Sequence, residues 1–456
     1  MDAPASPMQR RVPAGESRAA ASYQSVLRFY LPLCFTSVAN MSTNSIVNAG
    51  LARTADPTIA LAAYGVARGV LSMIDSFLQT VRPAAVALIR DDRSYRMVWV
   101  VVALQALFMT LGIAATAFTP LGDWLFVTVL GVAPPVARGA RLAMAVFVPM
   151  PACMAWRCFQ QGLLIAHKVT THVLLGALSR PILCAALIFG LVALGDGLPG
   201  VVAGAVALVA VIFAEGVILR FVIDRRGYAW SRVFRTGDPG PATSYRAVLM
   251  FLLPLFLQTY LKTVTQPILD GAMARGLNPT VSLAVFALSW QFARLFVGPA
   301  QMVHQASLVL GREAEARRVV YRASVGIGLG LSACLFALSA THGAGLLFRV
   351  LFALPQDLAP LAEQVLLTLS PVPLIIAWRE YYWGLLLQGG RTGLIGTGKT
   401  LGVGVTVVAA AVGVLYVPLA GAVVAGLAMT AGELVESAVV VWYARRSPAV
   451  RQAAAA

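Results

Sequence analysis

Residues 28–53, RFYLPLCFTSVANMSTNSIVNAGLAR, align with residues 250–275, MFLLPLFLQTYLKTVTQPILDGAMAR, at an offset of 222. The same offset pairs Gln79 with Gln301 and Arg90 with Arg312. Further on it pairs PMPACMAWRCFQQGLL (149–164) with PVPLIIAWREYYWGLL (371–386). VVAG recurs at 201–204 and 423–426. A constant register over so long a stretch marks an internal duplication.

Each copy is built to cross a membrane. The 456 residues are 59% hydrophobic and only 12% charged, with a mean hydropathy of +0.79. Apolar segments fall near 28–50, 58–80, 97–119, 139–165, 170–193, 199–223, 247–270, 279–308, 319–340, 361–388, 394–416 and 418–443. Each is long enough to span a bilayer. The fold expected is all-α and polytopic, with twelve transmembrane helices as two six-helix repeats around a central cavity. Six is even, so both repeats insert the same way round and are parallel repeats.

The domains expected are a disordered tail (1–27), an N lobe (28–224), a linker (225–246), a C lobe (247–446) and a second tail (447–456). The polar first 27 residues do not read as a signal peptide.

The net charge is +16, and 32 of the 35 basic residues are arginine. Lys and Arg crowd alternate flanks: the tail, the 2–3, 6–7 and 8–9 loops, and the C-terminus. The opposite flanks hold Arg53, Arg138, Arg141, Arg275 and Arg349. The positive-inside rule then puts both termini in the cytoplasm of a plasma (bacterial inner) membrane. The basic charge is a topology signal with an affinity for anionic lipid, and no nucleic-acid partner is implied. Five scattered cysteines and four scattered histidines give no metal or redox spacing.

Polar residues inside the spans are the candidates for chemistry. Thr36, Asn40, Asn44 and Asn48 recur every four residues, forming one stripe on helix 1. Their mates are Gln258, Lys262, Gln266 and Asp270. Such stripes face protein or water, not lipid. They serve either as interhelical glue or as a surface for substrate and ions. Helix 2 adds Arg68, Ser72, Asp75 and Gln79, and helix 8 adds Arg294 at the mate of Ser72. Arg82 and His304 read as interfacial residues that snorkel. Arg157 and Arg379 sit at matching depth after paired prolines, facing either freed backbone carbonyls or substrate. Glu380 follows Arg379 but is turned about 100° round the helix. Glu215, Glu433 and Glu436 read as packing or gating partners.

Charge inside a span is a functional candidate by default. Helices 1, 2, 7 and 8 favour an anion, since Arg suits carboxylate and phosphate. The candidate substrate residues are Asn40, Asn44, Asn48, Arg68, Lys262, Gln266, Arg294, Arg157 and Arg379. Asp75, Asp270 and Glu380 are candidates for a coupling H⁺ or Na⁺; no other cofactor is implied.

GLIGTGKT at 393–400 matches the phosphate-loop pattern. No strand precedes it and no soluble domain surrounds it, so an ATPase is not expected. Lys399 reads as a lysine at the bilayer surface, reaching lipid phosphate or an arriving anion.

YLPLCFTSVANMSTNSIVNAGLAR followed by ALAAYGVARG resembles the first two helices of the multidrug/oligosaccharidyl-lipid/polysaccharide flippase (MOP) superfamily. RFYLPL, AYG, PMPACMAW with GLL and His167-Lys168, QPILDGAMARGL and GELVESAVVVWYARR look closest to its progressive ankylosis (ANK) family. The resemblance runs from about residue 28 to 446. It implies a non-enzymatic exporter with two lobes and a central cavity. Proteins of the ANK kind are linked to release of pyrophosphate, nucleoside triphosphate and citrate. The multidrug and toxic compound extrusion (MATE) branch often places an Asp in helix 1, where this chain has asparagines.

The expectation is therefore a secondary-active exporter of small anions, acting as a monomer by alternating access. The alternatives are a cation-coupled MATE-type multidrug exporter and a lipid-linked sugar flippase. A membrane-embedded enzyme would need an acid/His constellation, which the sequence lacks.

Overall fold

The computed structural model describes residues 23–89, 91–130, 132–193, 198–228, 244–273, 275–311, 314–341, 343–352 and 358–446. The expected tails up to residue 22 and from 447, and linker residues 229–243, lie outside the described residues, as do Arg90 and Arg312. So do the side chains of Asp75 and Arg349.

The first half holds α1 (Tyr23–Leu51), α2 (Pro57–Leu78), α3 (Val81–Leu88), α4 (Asp92–Phe118) and the single turn α5 (Leu121–Asp123). A π-helical turn (Trp124–Val129), α6 (Pro134–Phe147), α7 (Met150–Ala166), α8 (Thr170–Ala193) and α9 (Gly200–Arg226) follow. The second half holds α10 (Tyr245–Met273), α11 (Pro279–Gln301), α12 (Val303–Leu310), α13 (Ala314–Ala340) and α14 (Gly343–Phe352). It ends with α15 (Ala359–Leu369), α16 (Val372–Gln388), α17 (Thr392–Tyr416) and α18 (Gly421–Arg446).

The sequence offset recurs in the helix boundaries. Shifted by 222, the bounds of α1, α3, α4 and α7 become those of α10, α12, α13 and α16.

Ten helices or continuous helix pairs are long and apolar enough to cross a membrane, and the α6–α7 pair, bent by 46°, supplies an eleventh. The twelfth is α1, whose 29 residues span about 43 Å at 1.5 Å per residue. Its polar stripe dilutes its hydropathy. Among the described residues this is a multi-pass bundle of twelve spans without a strand.

Short elements mark where the simple twelve-segment reading fell short. The second and eighth spans each break near the end and continue as α3 and α12, with Arg82 and Val303 in their first turns. Pro149 and Pro371 take the cap positions of α7 and α16, where the missing N–H costs nothing. Asp91 caps α4 by accepting from the Ser94 amide at 2.7 Å, and Ser94 Oγ accepts from the Asp91 amide at 3.0 Å. The Ser94 hydroxyl and amide hold the Asp91 carboxyl below its ordinary value.

Packing within each lobe relies on small residues at the close crossings. Gly162 of α7 lies against α3, where an added Cβ would stand 3.1 Å from Ala85 Cβ and 3.2 Å from the Arg82 carbonyl. Its mate Gly384 lies against α12, where an added Cβ would stand 2.6 Å from Ser307 Cβ and 2.8 Å from the His304 carbonyl. Helices approach this closely in membranes when no side chain intervenes.

The lobes meet at the Arg-rich end. Tyr30 Oη of α1 donates to the Pro299 carbonyl of α11 at 2.7 Å. The rings of Phe77 (α2) and Phe256 (α10) meet edge to face at 5.8 Å. Tyr23 Oη lies 3.0 Å from where a Cβ on Gly326 of α13 would be. All three contacts fall in the Arg-rich half of their helices. Toward the other end, Asn44 and Asn48 on α1 are exposed.

Gly384→Ala is expected to destabilise the C lobe by about 1–3 kcal/mol, the usual cost of overpacking. Thermal unfolding in detergent checks this against Gly404→Ala, whose added Cβ meets nothing within 4 Å. An equal effect in both would mean that the α12–α16 crossing is not tight.

Candidate functional site

The candidate site is a cleft that the two polar stripes and the helices beside them would line. On α1, Asn40 is half-buried and its Oδ1 is buried without a hydrogen-bond partner, while Asn44 and Asn48 are exposed. On α2, Arg68 is half-buried next to the Tyr64 hydroxyl, which is buried and unpartnered. Gln266 of α10 donates to Asp270 Oδ1 at 3.1 Å, one turn along.

Lys262 of α10 and Arg294 of α11 are both exposed and are electrostatic neighbours. Neither forms an ion pair among the described residues. The other charged groups near Lys262 are Lys399, Glu433 and Glu380. Two cations therefore stand near each other without a direct ion pair among the described residues.

Arg157 and Arg379 lie apart from the cleft surface. Each is buried and ion-paired inside its own lobe. In the N lobe, Glu215 of α9 accepts from Arg157 NH1 at 3.1 Å and from Arg180 Nε at 2.9 Å. It also accepts from Gln161 Nε2 at 2.8 Å, and Arg180 NH2 meets it as well. In the C lobe, Arg379 pairs with Glu433 at 2.5 Å, Glu436 at 2.8 Å and Glu380 at 3.1 Å. Lys399 pairs with Glu436 at 2.9 Å and Glu433 at 3.2 Å. Glu380 Oε2 also lies 2.9 Å from His304 Nδ1.

Several side-chain expectations change here. Lys399 is buried and held by two glutamates, not placed at the lipid surface. The whole GLIGTGKT stretch is helical, within α17, so it forms no phosphate loop. Glu380 does meet Arg379 despite the turn between them, because the guanidinium is long enough to reach sideways. Arg82 and His304 are buried at 7% and 8% exposure and do not snorkel. Glu215, Glu433 and Glu436 are the counter-ions that hold these clusters. The sequence reading has them as packing or gating partners. Their helical faces give no hint of a partner two or more helices away.

The residues of two helices, α17 and α18, meet closely around this cluster. An added Cβ at Gly402 would stand 2.8 Å from Glu436 Cβ, so a larger residue there would push Glu436 from Lys399.

The family model for the progressive ankylosis protein (ANKH) matches residues 15–282, more than half the chain. The chain belongs to the progressive ankylosis family. Solved structures place this family member's fold among the MOP superfamily transporters. A MOP superfamily transporter from Pyrococcus furiosus matches with a TM-score of 0.75 at 14% identity, covering 95% of this chain and 96% of that one. The MATE transporter VcmN of Vibrio cholerae, in its bent form, gives 0.71 at 15%, covering 94% and 97%. An outward-facing MATE family transporter gives 0.74 at 16%, covering 95% and 96%. At such identities the likeness is one of fold. It supplies two lobes of six spans each, and the ankylosis-family chain fills that plan with its own charges.

Glu215→Gln is expected to cost about 3–5 kcal/mol, because it removes the carboxylate that two buried guanidiniums share. The Glu215→Gln/Arg180→Gln double variant should recover part of that loss. Unfolding midpoints of the purified variants test this. A single variant as stable as the parent would rule out Glu215 as the counter-ion of the N lobe.

Proposed function

We propose that this ankylosis-family chain is a secondary-active exporter of small organic or phosphate-bearing anions, of the citrate, pyrophosphate or nucleotide class. The observation that carries this reading is the pair Lys262 and Arg294. Both are exposed, are electrostatic neighbours, and have no carboxylate ion pair among the described residues. An unpaired cation is expensive inside a membrane protein unless an anion or water answers it. Two together favour a ligand with more than one negative charge. Arg68 and the asparagines of α1 offer further donors from the other lobe. An anion bridging the lobes would draw them together, and alternating access then follows from rocking two six-helix bodies.

Asp270 supports a coupling role. It is half-buried, takes a hydrogen bond from Gln266, and has no cation beside it among the described residues. We propose that it carries the coupling H⁺ or Na⁺. Asp75 and Glu380 are secondary candidates, the latter already engaged by Arg379. Residues 28–224 and 247–446 form the lobes, joined by 225–246. The Arg-rich end, with both termini, faces the cytoplasm of a bacterial inner membrane, and the unit of function is the monomer.

Proteoliposome efflux of citrate, pyrophosphate and ATP, with and without pH and Na⁺ gradients, tests this directly. Lys262→Ala or Arg294→Ala should lower anion efflux about tenfold, the worth of one charge-assisted hydrogen bond of ~1.4 kcal/mol. Efflux of a cationic dye should not fall. Unchanged anion efflux in both variants would sink the reading. Dye transport alone would favour the multidrug alternative, and movement of a lipid-linked sugar would favour a flippase.

Asp270→Asn should flatten the dependence of efflux on the coupling gradient while leaving exchange of anion for anion intact. Retained gradient dependence would exclude Asp270 as the coupling site.

A further inference from the structure

The duplication makes each lobe a control for the other. In the C lobe, the Glu380 carboxylate stands between two basic groups, His304 at 2.9 Å and Arg379 at 3.1 Å. At the same 222-residue offset the N lobe has Arg82 for His304 and Arg157 for Arg379. The mate of Glu380 is Cys158. The basic residues are thus retained, and one is strengthened to an arginine, while the carboxylate between them is replaced by a thiol.

Cys158 is fully buried, and Arg157 NH2 lies 3.9 Å from its Sγ. Arg82 and Arg180 are also its electrostatic neighbours. Three guanidiniums therefore surround one thiol. The only carboxylate among them in the described residues is Glu215, which already serves Arg157 and Arg180. Arg82 is more than nine-tenths buried, and its Nε has no hydrogen-bond partner. No carboxylate pairs with it among the described residues. A buried guanidinium needs an anion and acceptors to offset its lost hydration. Among the described residues, Arg82, Arg157 and Arg180 share the one carboxylate of Glu215, and Arg82 has no ion pair with it.

We propose that the N lobe binds a small inorganic monoanion, of chloride size, between Arg82, Arg157 and Cys158, in the position that the Glu380 carboxylate takes in the C lobe. The short cysteine side chain gives the ion its place. The close α3–α7 crossing at Gly162 limits its size. The ion is a fixed part of the lobe, held by groups that do not line the cleft at Lys262 and Arg294. This assignment rests on the repeat and the burial of Arg82, and not on the identity of the exported substrate.

Thermal unfolding of the full-length protein in detergent tests the site, comparing chloride with gluconate at equal ionic strength. The wild type should gain a saturable rise of a few degrees in chloride, because a ligand that binds only the folded state stabilises it by mass action. Cys158→Glu supplies the carboxylate of the C lobe, so it should lose the chloride response and match the chloride-bound wild type without the ion. Lys262→Ala should keep the full response, which separates this site from the cleft.

Should Cys158→Glu not fold, Arg82→Gln should lose the response, and bromide should give an anomalous peak beside Arg82 and Arg157 in crystals of the wild type. Equal stability of the wild type in the two salts would overturn the proposal. So would a response that survives Cys158→Glu, or one that disappears in Lys262→Ala. A response absent from the wild type but present in Cys158→Ala would identify the thiolate itself as the counter-ion, and would overturn it too.

Discussion

A guanidinium inside a membrane protein must meet negative charge or water, and the interior of this molecule is arranged around that requirement. Arg157 and Arg379 occupy equivalent positions in the two repeats. Each lobe meets the requirement with residues from its own helices. The N lobe converges two arginines on Glu215 of α9. The C lobe gathers Glu380, Glu433 and Glu436 round Arg379 and Lys399. These clusters tie α7, α8 and α9 together on one side and α16, α17 and α18 on the other. They make the lobes coherent bodies and leave the cleft between them as the weak seam. Buried pairs of this kind are poor evidence for net stability. Their plainer effect is to fix which helices belong together.

The same duplicated frame has diverged in charge. Among the described residues, Arg82, Arg157 and Arg180 gather round the Glu215 carboxylate. Around Arg379 two cations and His304 face three carboxylates. Ser437, the mate of Glu215, donates its hydroxyl to the Glu433 carbonyl at 2.7 Å and carries no charge. Gly402, the mate of Arg180, leaves room for Glu436. Substitutions of this sort alter the electrostatics of a lobe without altering its helix boundaries.

Much of the plan was legible in the sequence. The offset of 222 and the length of the apolar segments fix the repeat, the number of spans and their relative orientation. The stripe from Asn40 to Asn48 and its mates on α10 can be read from four-residue spacing alone, because all its members share one helix. The partners of Arg157, Arg379 and Lys399 could not be read that way. Glu215 is 58 residues from Arg157, and Glu433 is 54 residues from Arg379. No periodicity links residues on separate helices. Lys399 was the sharpest case, since its place seven residues into α17 suggests the bilayer surface. Two glutamates of α18 draw it inward. The breaks before α3 and α12 were hidden for another reason: the hydrophobicity runs straight through them.

The contact between Tyr30 and Pro299 also has a mechanical meaning. Tyr30 lies near the start of α1, so about 30 Å of that helix extends beyond it toward the far end. If that contact serves as a fulcrum, a lobe rotation of about 10° moves the far tip of α1 by about 5 Å while the contact itself barely shifts. On that condition α1 is a long lever pinned close to one end. Small forces at the far end would then be multiplied at the contact, and the hydroxyl-to-carbonyl bond, with the Phe77–Phe256 contact, is where the rotation would be resisted.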